Sequence, residues 1–192
     1  MPGKRAVIHQ TKKWLSRVVI GHNLCPFAKR EFDAGRIHYE IIEAADMQSQ
    51  LERVILHCEA LDKDASRETS LLIFPHALTD FEDYLELLSI ANALLKEQGY
   101  EGIYQLASFH PRYRFDGTPA NDASNYTNRS PYPMLHILRE ASVEEALKNY
   151  PNPEAIPQRN IKLTQSLGLE VMQALLAGCL EKQDSDEVSP IF

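Results

Sequence analysis

Cys25 is the thiol placed best for chemistry, in the run Gly21-His22-Asn23-Leu24-Cys25-Pro26-Phe27. Proline suits the first position of a helix, where its missing N–H would be orphaned anyway. This makes Cys25 the expected N-cap of a short helix ending before Gly35. A sulfur at that position faces free N–H groups and the positive end of the helix dipole, which lowers a thiol pKa from about 8.5 toward neutrality. His22 stands close enough in sequence to act as its base or imidazolium partner. The competing reading is a small buried hydrophobe beside Leu24 and Phe27. Cys58 and Cys179 fall on apolar helix faces and read as inert core residues.

A second constellation is Phe109-His110-Pro111-Arg112-Tyr113-Arg114-Phe115. It follows a strand-like run, and in open parallel sheets ligands bind beyond the carboxyl ends of the strands. His76 after a second strand and Glu43 after a first would reach the same edge. Arg112 and Arg114 offer planar forks for a carboxylate or phosphate, unless they pair with Asp116 and Asp122 and simply pin the loop. The third constellation, Asn121 to Pro131, is dense in side-chain hydrogen bonders. Asn125, Arg129 and the N–H groups after Ser130 could hold an oxyanion at a helix N-terminus, or the segment could be a turn network satisfied by itself. Arg159 is a further candidate for the same ligand.

Several chemistries lack their signatures. There is no GxGxxG, GxxxxGK[ST] or GxSxG, so nucleotide binding by the usual loops and a serine elbow are not expected. His110, Asp116, Asp122, His136 and His76 could gather around a metal, but no HxH, HExxH or CxxC spacing fixes a geometry, and no metal is assigned. His9, His38 and His57 read as surface or packing residues. No cofactor is indicated.

The elements that must position these residues follow from apolar periodicity. A first helix spans about Arg5 to Ile20 and stops at Gly21. Strand-like runs at 36–42, 70–74 and 102–109 alternate with helical ones at 47–61 and 80–98, the latter capped by Asp80. Strand, helix, strand, helix, strand implies an α/β fold, a parallel sheet of three or four strands with helical crossovers, flanked by N- and C-terminal helices. His110 to Pro133 reads as a long loop, of the kind that is usually functional or disordered above ~12–15 residues. Ser130-Pro131 then looks like the start of a helix carrying Met134, Ile137, Leu138 and Ala141, with a fourth strand as the alternative. Ser142 and Glu145 form a capping box, and a helical stretch broken near Gly168 runs to Leu180.

Composition bounds the molecule without naming its chemistry. The 192 residues, 44% hydrophobic and 24% charged, suit one globular domain, 1–192, with an acidic frayed tail at 181–192. A net charge of −7 argues against a nucleic-acid coat. Leu71 to Phe74 is among the longest apolar runs, far short of the ~18 residues of a membrane span, so no membrane partner is expected. Three cysteines without a CxxC pair suit a reducing cytoplasm.

The runs Val19-Ile20-Gly21-His22-Asn23-Leu24-Cys25-Pro26-Phe27-Ala28, Ser108-Phe109-His110-Pro111 and Arg129-Ser130-Pro131-Tyr132-Pro133 are specific. With Leu138-Arg139-Glu140 and Ile156-Pro157-Gln158-Arg159-Asn160 they resemble a bacterial family known only as domain of unknown function 1415, over about residues 10 to 175. His22 departs from the family pattern, which has an apolar residue there. The resemblance implies a single-domain cytoplasmic protein and supplies no activity, cofactor or catalytic residue.

The residues themselves point first to an enzyme acting on a small anionic metabolite. Cys25 would be nucleophile or redox thiol, His110 the acid/base, and Arg112, Arg114, Asn125, Arg129 and Arg159 the substrate cradle. The alternative is a non-catalytic binding or regulatory module for such an anion, with Cys25 only capping a helix. Single-stranded RNA stacking on Tyr113, Phe115 and Tyr126 is a minor third reading.

Overall fold

The computed structural model describes residues 2–148 and 150–181. The expected acidic tail therefore lies, beyond Glu181, outside the described residues. Helix α1 (Lys4–Trp14) continues without a break into a π-helical segment, Leu15–Ile20. Short helix α2 (Ala28–Asp33) leads into strand β1 (Ile37–Ile41). Then follow α3 (Met47–Lys63), β2 (Thr69–Ile73), α4 (Phe81–Glu97) and β3 (Tyr104–Phe109). A 3-10 turn (Ala123–Thr127) interrupts the long connection before β4 (Met134–Arg139). Helices α5 (Glu140–Lys148), α6 (Ile156–Leu167) and α7 (Leu169–Leu180) complete the chain.

The four strands are ordered β1-β2-β4-β3. β1 and β2 are parallel, whereas β4 runs antiparallel to both β2 and β3. This corrects the expected parallel sheet. The first three strands do share one direction, but β4 is inserted between the second and third, so only one neighbouring pair is parallel. The helical spacing of Met134, Ile137 and Leu138 is likewise overturned in favour of the strand. β4 is covered on both faces, so its apolar residues Met134, Leu135, Ile137 and Leu138 stand on both sides of it, interrupted by His136, a pattern that periodicity alone does not separate from a buried helix.

Alternation along the strands builds two cores. Ile37, Leu71, Ile73 and Met134 face Val7, Trp14, Val18, Met172 and Cys179 from α1, the π segment and α7. Leu72, Leu135 and Ile137 face Val54, Cys58, Leu61, Tyr84, Leu87 and Ala91 from α3 and α4. The sheet is thus a wall between two helical layers. The Tyr84 hydroxyl clamps one end of it, donating to the Met134 carbonyl (2.8 Å) and accepting from the Phe109 N–H (3.0 Å). Gly168 turns α6 into α7 at φ +85, ψ 161, a region that is essentially glycine-only, and the two helical arms meet there at 96°.

Two local expectations fail for identifiable reasons. Ser130 and Pro131 start no helix: the Ser130 hydroxyl donates to the Tyr132 carbonyl (2.6 Å) and turns the chain into β4. The Ser142–Glu145 capping box is bypassed because α5 begins at Glu140, whose N–H is already held by the Ile103 carbonyl (3.0 Å). Among the described residues, no single helix is long and apolar enough to cross a membrane.

Candidate functional site

The Cys25 loop is shaped by α6. Asn23 adopts a left-handed backbone (φ 51), which turns its carbonyl toward the Arg159 guanidinium. Arg159 also donates to the Tyr150 hydroxyl (2.6 Å) and to Asn160 Oδ1 (2.9 Å), while Asn160 Nδ2 donates to the Leu24 carbonyl (2.6 Å). Arg159 is thereby a strut, its fork occupied by protein acceptors. Helix α2 begins at Ala28 with Phe27 as its N-cap, two positions later than expected from Pro26. The N–H groups of Phe27 and Ala28 and the charge of Arg159 do favour the Cys25 thiolate. Burial outweighs them, so the thiol is pushed above its ordinary value rather than toward neutrality. This reverses the expected activation, because the desolvation penalty on a charged sulfur exceeds what two N–H groups and one guanidinium return. Cys58 and Cys179 are fully buried, as their apolar helix faces require.

His110 is fully buried, and both of its ring nitrogens are engaged. Nδ1 accepts from the Arg112 N–H (3.0 Å), which puts the proton on Nε2, facing the Leu78 carbonyl at 2.9 Å. The ring lies 5.1 Å from each of Phe81 and Tyr84. Burial lowers its pKa and keeps it neutral. Phe81 and Tyr84 belong to the α3/α4 core, whereas Cys25 packs on the α1/α7 core, so the sheet stands between imidazole and thiol. The structure does not bring the two predicted catalytic groups together.

The predicted anion cradle is also spoken for. Arg112 donates to the Thr79 carbonyl and to Asp80 Oδ2 (3.1 Å), so its carboxylate partner is the α4 cap rather than Asp116. Arg114 is exposed on the loop. Asn125, fully buried, accepts from the Phe115 N–H (3.0 Å) and the Thr118 hydroxyl (2.9 Å) and donates to the Pro119 carbonyl (2.9 Å). Arg129 donates to the carbonyls of Tyr113 (3.1 Å) and Ala120 (2.7 Å) and stacks at 4.6 Å over Tyr126. Its own carbonyl accepts from the Trp14 indole (3.1 Å). These contacts fold residues 110–130 onto themselves, which is why so long a connection packs.

Sequence reasoning missed a basic groove of about 280 Å³ between α1, the π segment and α2, lined by His9, Lys12, Lys13, Ser16, Arg17 and Phe32. Lys12, Lys13 and Arg17 make no ion pair among the described residues. Lys12 sits 5.0 Å over the Tyr39 ring. The signal was present: His9, Lys12, Lys13, Ser16 and Arg17 repeat at the spacing of one helix face, and no acidic residue precedes Glu31. The apolar stripe of the first helix, on its other side, dominates the pattern and masks it. A larger hollow of about 750 Å³ between α3 and α4 is lined mainly by Met47, Leu51, Ile55, Leu56 and Leu94, far in character from an anion site.

No curated protein and no solved structure matches the chain. One family does, over residues 6–174, a stretch that takes in the Cys25 loop, the His110 cage, the Arg129 turn and the α6 strut alike. The chain therefore belongs to DUF1415, the family described as protein of unknown function.

Proposed function

We propose that the chain binds a small anionic molecule without transforming it, in the groove between α1, the π segment and α2. The supporting observation is the convergence of Lys12, Lys13 and Arg17, with His9 beside them, on one hollow, the three cations lacking an acidic partner among the described residues. A chain of net charge −7 that gathers three cations at one place creates a local field for an anion against an otherwise repelling surface. Ser16 adds a hydroxyl and Phe32 an apolar wall, the usual mixture of a small-ligand site. The π-helical turn that carries Ser16 and Arg17 is a distortion frequent at functional positions. The enzymatic version, Cys25 with His110, lacks comparable support, because desolvation keeps the half-buried Cys25 as the thiol and His110 is caged.

Thermal unfolding at low ionic strength with inorganic phosphate, pyrophosphate and citrate tests this. Ligand at about 100 times its Kd contributes about 2.7 kcal/mol, or roughly 5–10 °C in Tm for a chain of this size. The double variant Lys13→Gln/Arg17→Gln should lose the gain and Cys25→Ala should keep it. No gain with any anion, or a gain that survives the double variant, refutes the groove. Fast alkylation of Cys25 at neutral pH would restore the enzyme reading.

A further inference from the structure

We infer that His38, Glu40 and His57 form a binding site for a divalent first-row transition metal. His38 and Glu40 alternate on β1, so both project from the face of the sheet that α3 covers. The connection from β1 into α3 then lays His57 over them. One ligand-capable atom from each residue lies within 4.8 Å of the other two. His38 Nε2 and Glu40 Oε2 are already 3.5 Å apart, close to the roughly 3.4 Å that two ligands span on a tetrahedral ion with bonds of about 2.1 Å. The two imidazoles stack with centroids 5.3 Å apart and planes at 29°. His38 and Glu40 are only part-buried, so small side-chain rotations can close the remaining gap.

The decisive atom is His57 Nδ1. The residue is 5% exposed, yet this nitrogen has no hydrogen-bond partner. A buried polar atom left without a partner is costly and rare. Ser70, which stands at the His38 register on β2, is fully buried and its hydroxyl is also unpartnered. A surface ion pair accounts for Glu40, whose Oε1 accepts from Arg53 at 2.7 Å. It does not account for His57. That same bond has a use beside a metal, since it orients the carboxylate with Oε2 toward His38.

Two imidazole nitrogens and one carboxylate oxygen suit zinc, cobalt or iron and disfavour magnesium and calcium, which prefer oxygen. Three protein ligands, two of them on a part-exposed edge strand and the third on α3, leave a coordination position for water. The site is separate from the α1 groove, and either can fail without the other.

Calorimetric titration of the full chain with zinc sulfate, and visible absorption on titration with cobalt chloride, are the measurements. One ion per chain is expected. His38→Ala and Glu40→Gln should each weaken it by more than about tenfold, with circular dichroism confirming that these surface-edge variants fold. His57→Gln should abolish binding. Absence of zinc binding, affinity unchanged in both surface variants, displacement by magnesium, or thiolate charge-transfer bands in the cobalt spectrum would each overturn the assignment.

Discussion

At the scale of single residues, burial decides the protonation of the groups that looked reactive. His110 and His136 are both held neutral by desolvation, His136 at about 4. His136 stands against Thr69 and Phe109 and in register with Leu71 and Ala107, while His110 faces Arg112, Asp80, Tyr84 and Leu78. A histidine whose folded pKa lies below its unfolded value of about 6.5 takes up its proton more readily when unfolded. Its neutral burial costs nothing above pH 6.5, and stability falls as pH drops from there toward the folded value. Urea midpoints should therefore decline between pH 7 and pH 5, and the decline should be shallower in His136→Asn. A slope identical in the variant would remove His136 from the account. Cys25 follows the same physics with the opposite sign: burial favours the thiol, so its reactivity is expected only well into the alkaline range.

At the scale of elements, the distorted end of the first helix carries the most consequence. The π segment closes at Gly21, whose N–H donates to the Ser16 carbonyl at 3.0 Å. A Cβ on Gly21 would stand 2.4 Å from the Arg17 carbonyl oxygen, a backbone atom that cannot swing aside. Gly21→Ala should therefore cost about 1–3 kcal/mol, the usual range for overpacking. It should also weaken anion binding, because the turn that must shift is the one presenting Ser16 and Arg17. Urea unfolding and the phosphate-induced Tm gain measure the two effects; a variant that unfolds earlier yet retains the whole gain would separate the turn from the groove. Elements set by capping were legible beforehand, as with α4 and its Asp80 cap, whose carboxylate accepts from the Glu82 N–H at 2.9 Å. The start of α2 was not, because the loop leading to Cys25 is held at the Asn23 and Leu24 carbonyls by Arg159 and Asn160 of α6, which lies far along the chain.

For the whole molecule, the position of β4 is the organising fact. It hydrogen-bonds on both sides, to β2 and β3, and its Arg139 reaches across to the Arg67 carbonyl (3.2 Å) and the Tyr104 hydroxyl (3.2 Å). β2 and β4 amides should accordingly be the slowest in native-state hydrogen exchange, with edge strands β1 and β3 faster; equal protection at the edges would show that something else covers them. The order of the first three strands, the two crossover helices, the break at Gly168 and the family itself were readable from the chain, because periodicity, caps and turn residues act over a few neighbours. The insertion of β4, the occupation of Arg112, Arg129 and Arg159 by backbone carbonyls, and the separation of Cys25 from His110 by the sheet were not. Each depends on partners tens of residues away, and only the folded chain decides whether a guanidinium meets a ligand or its own main chain.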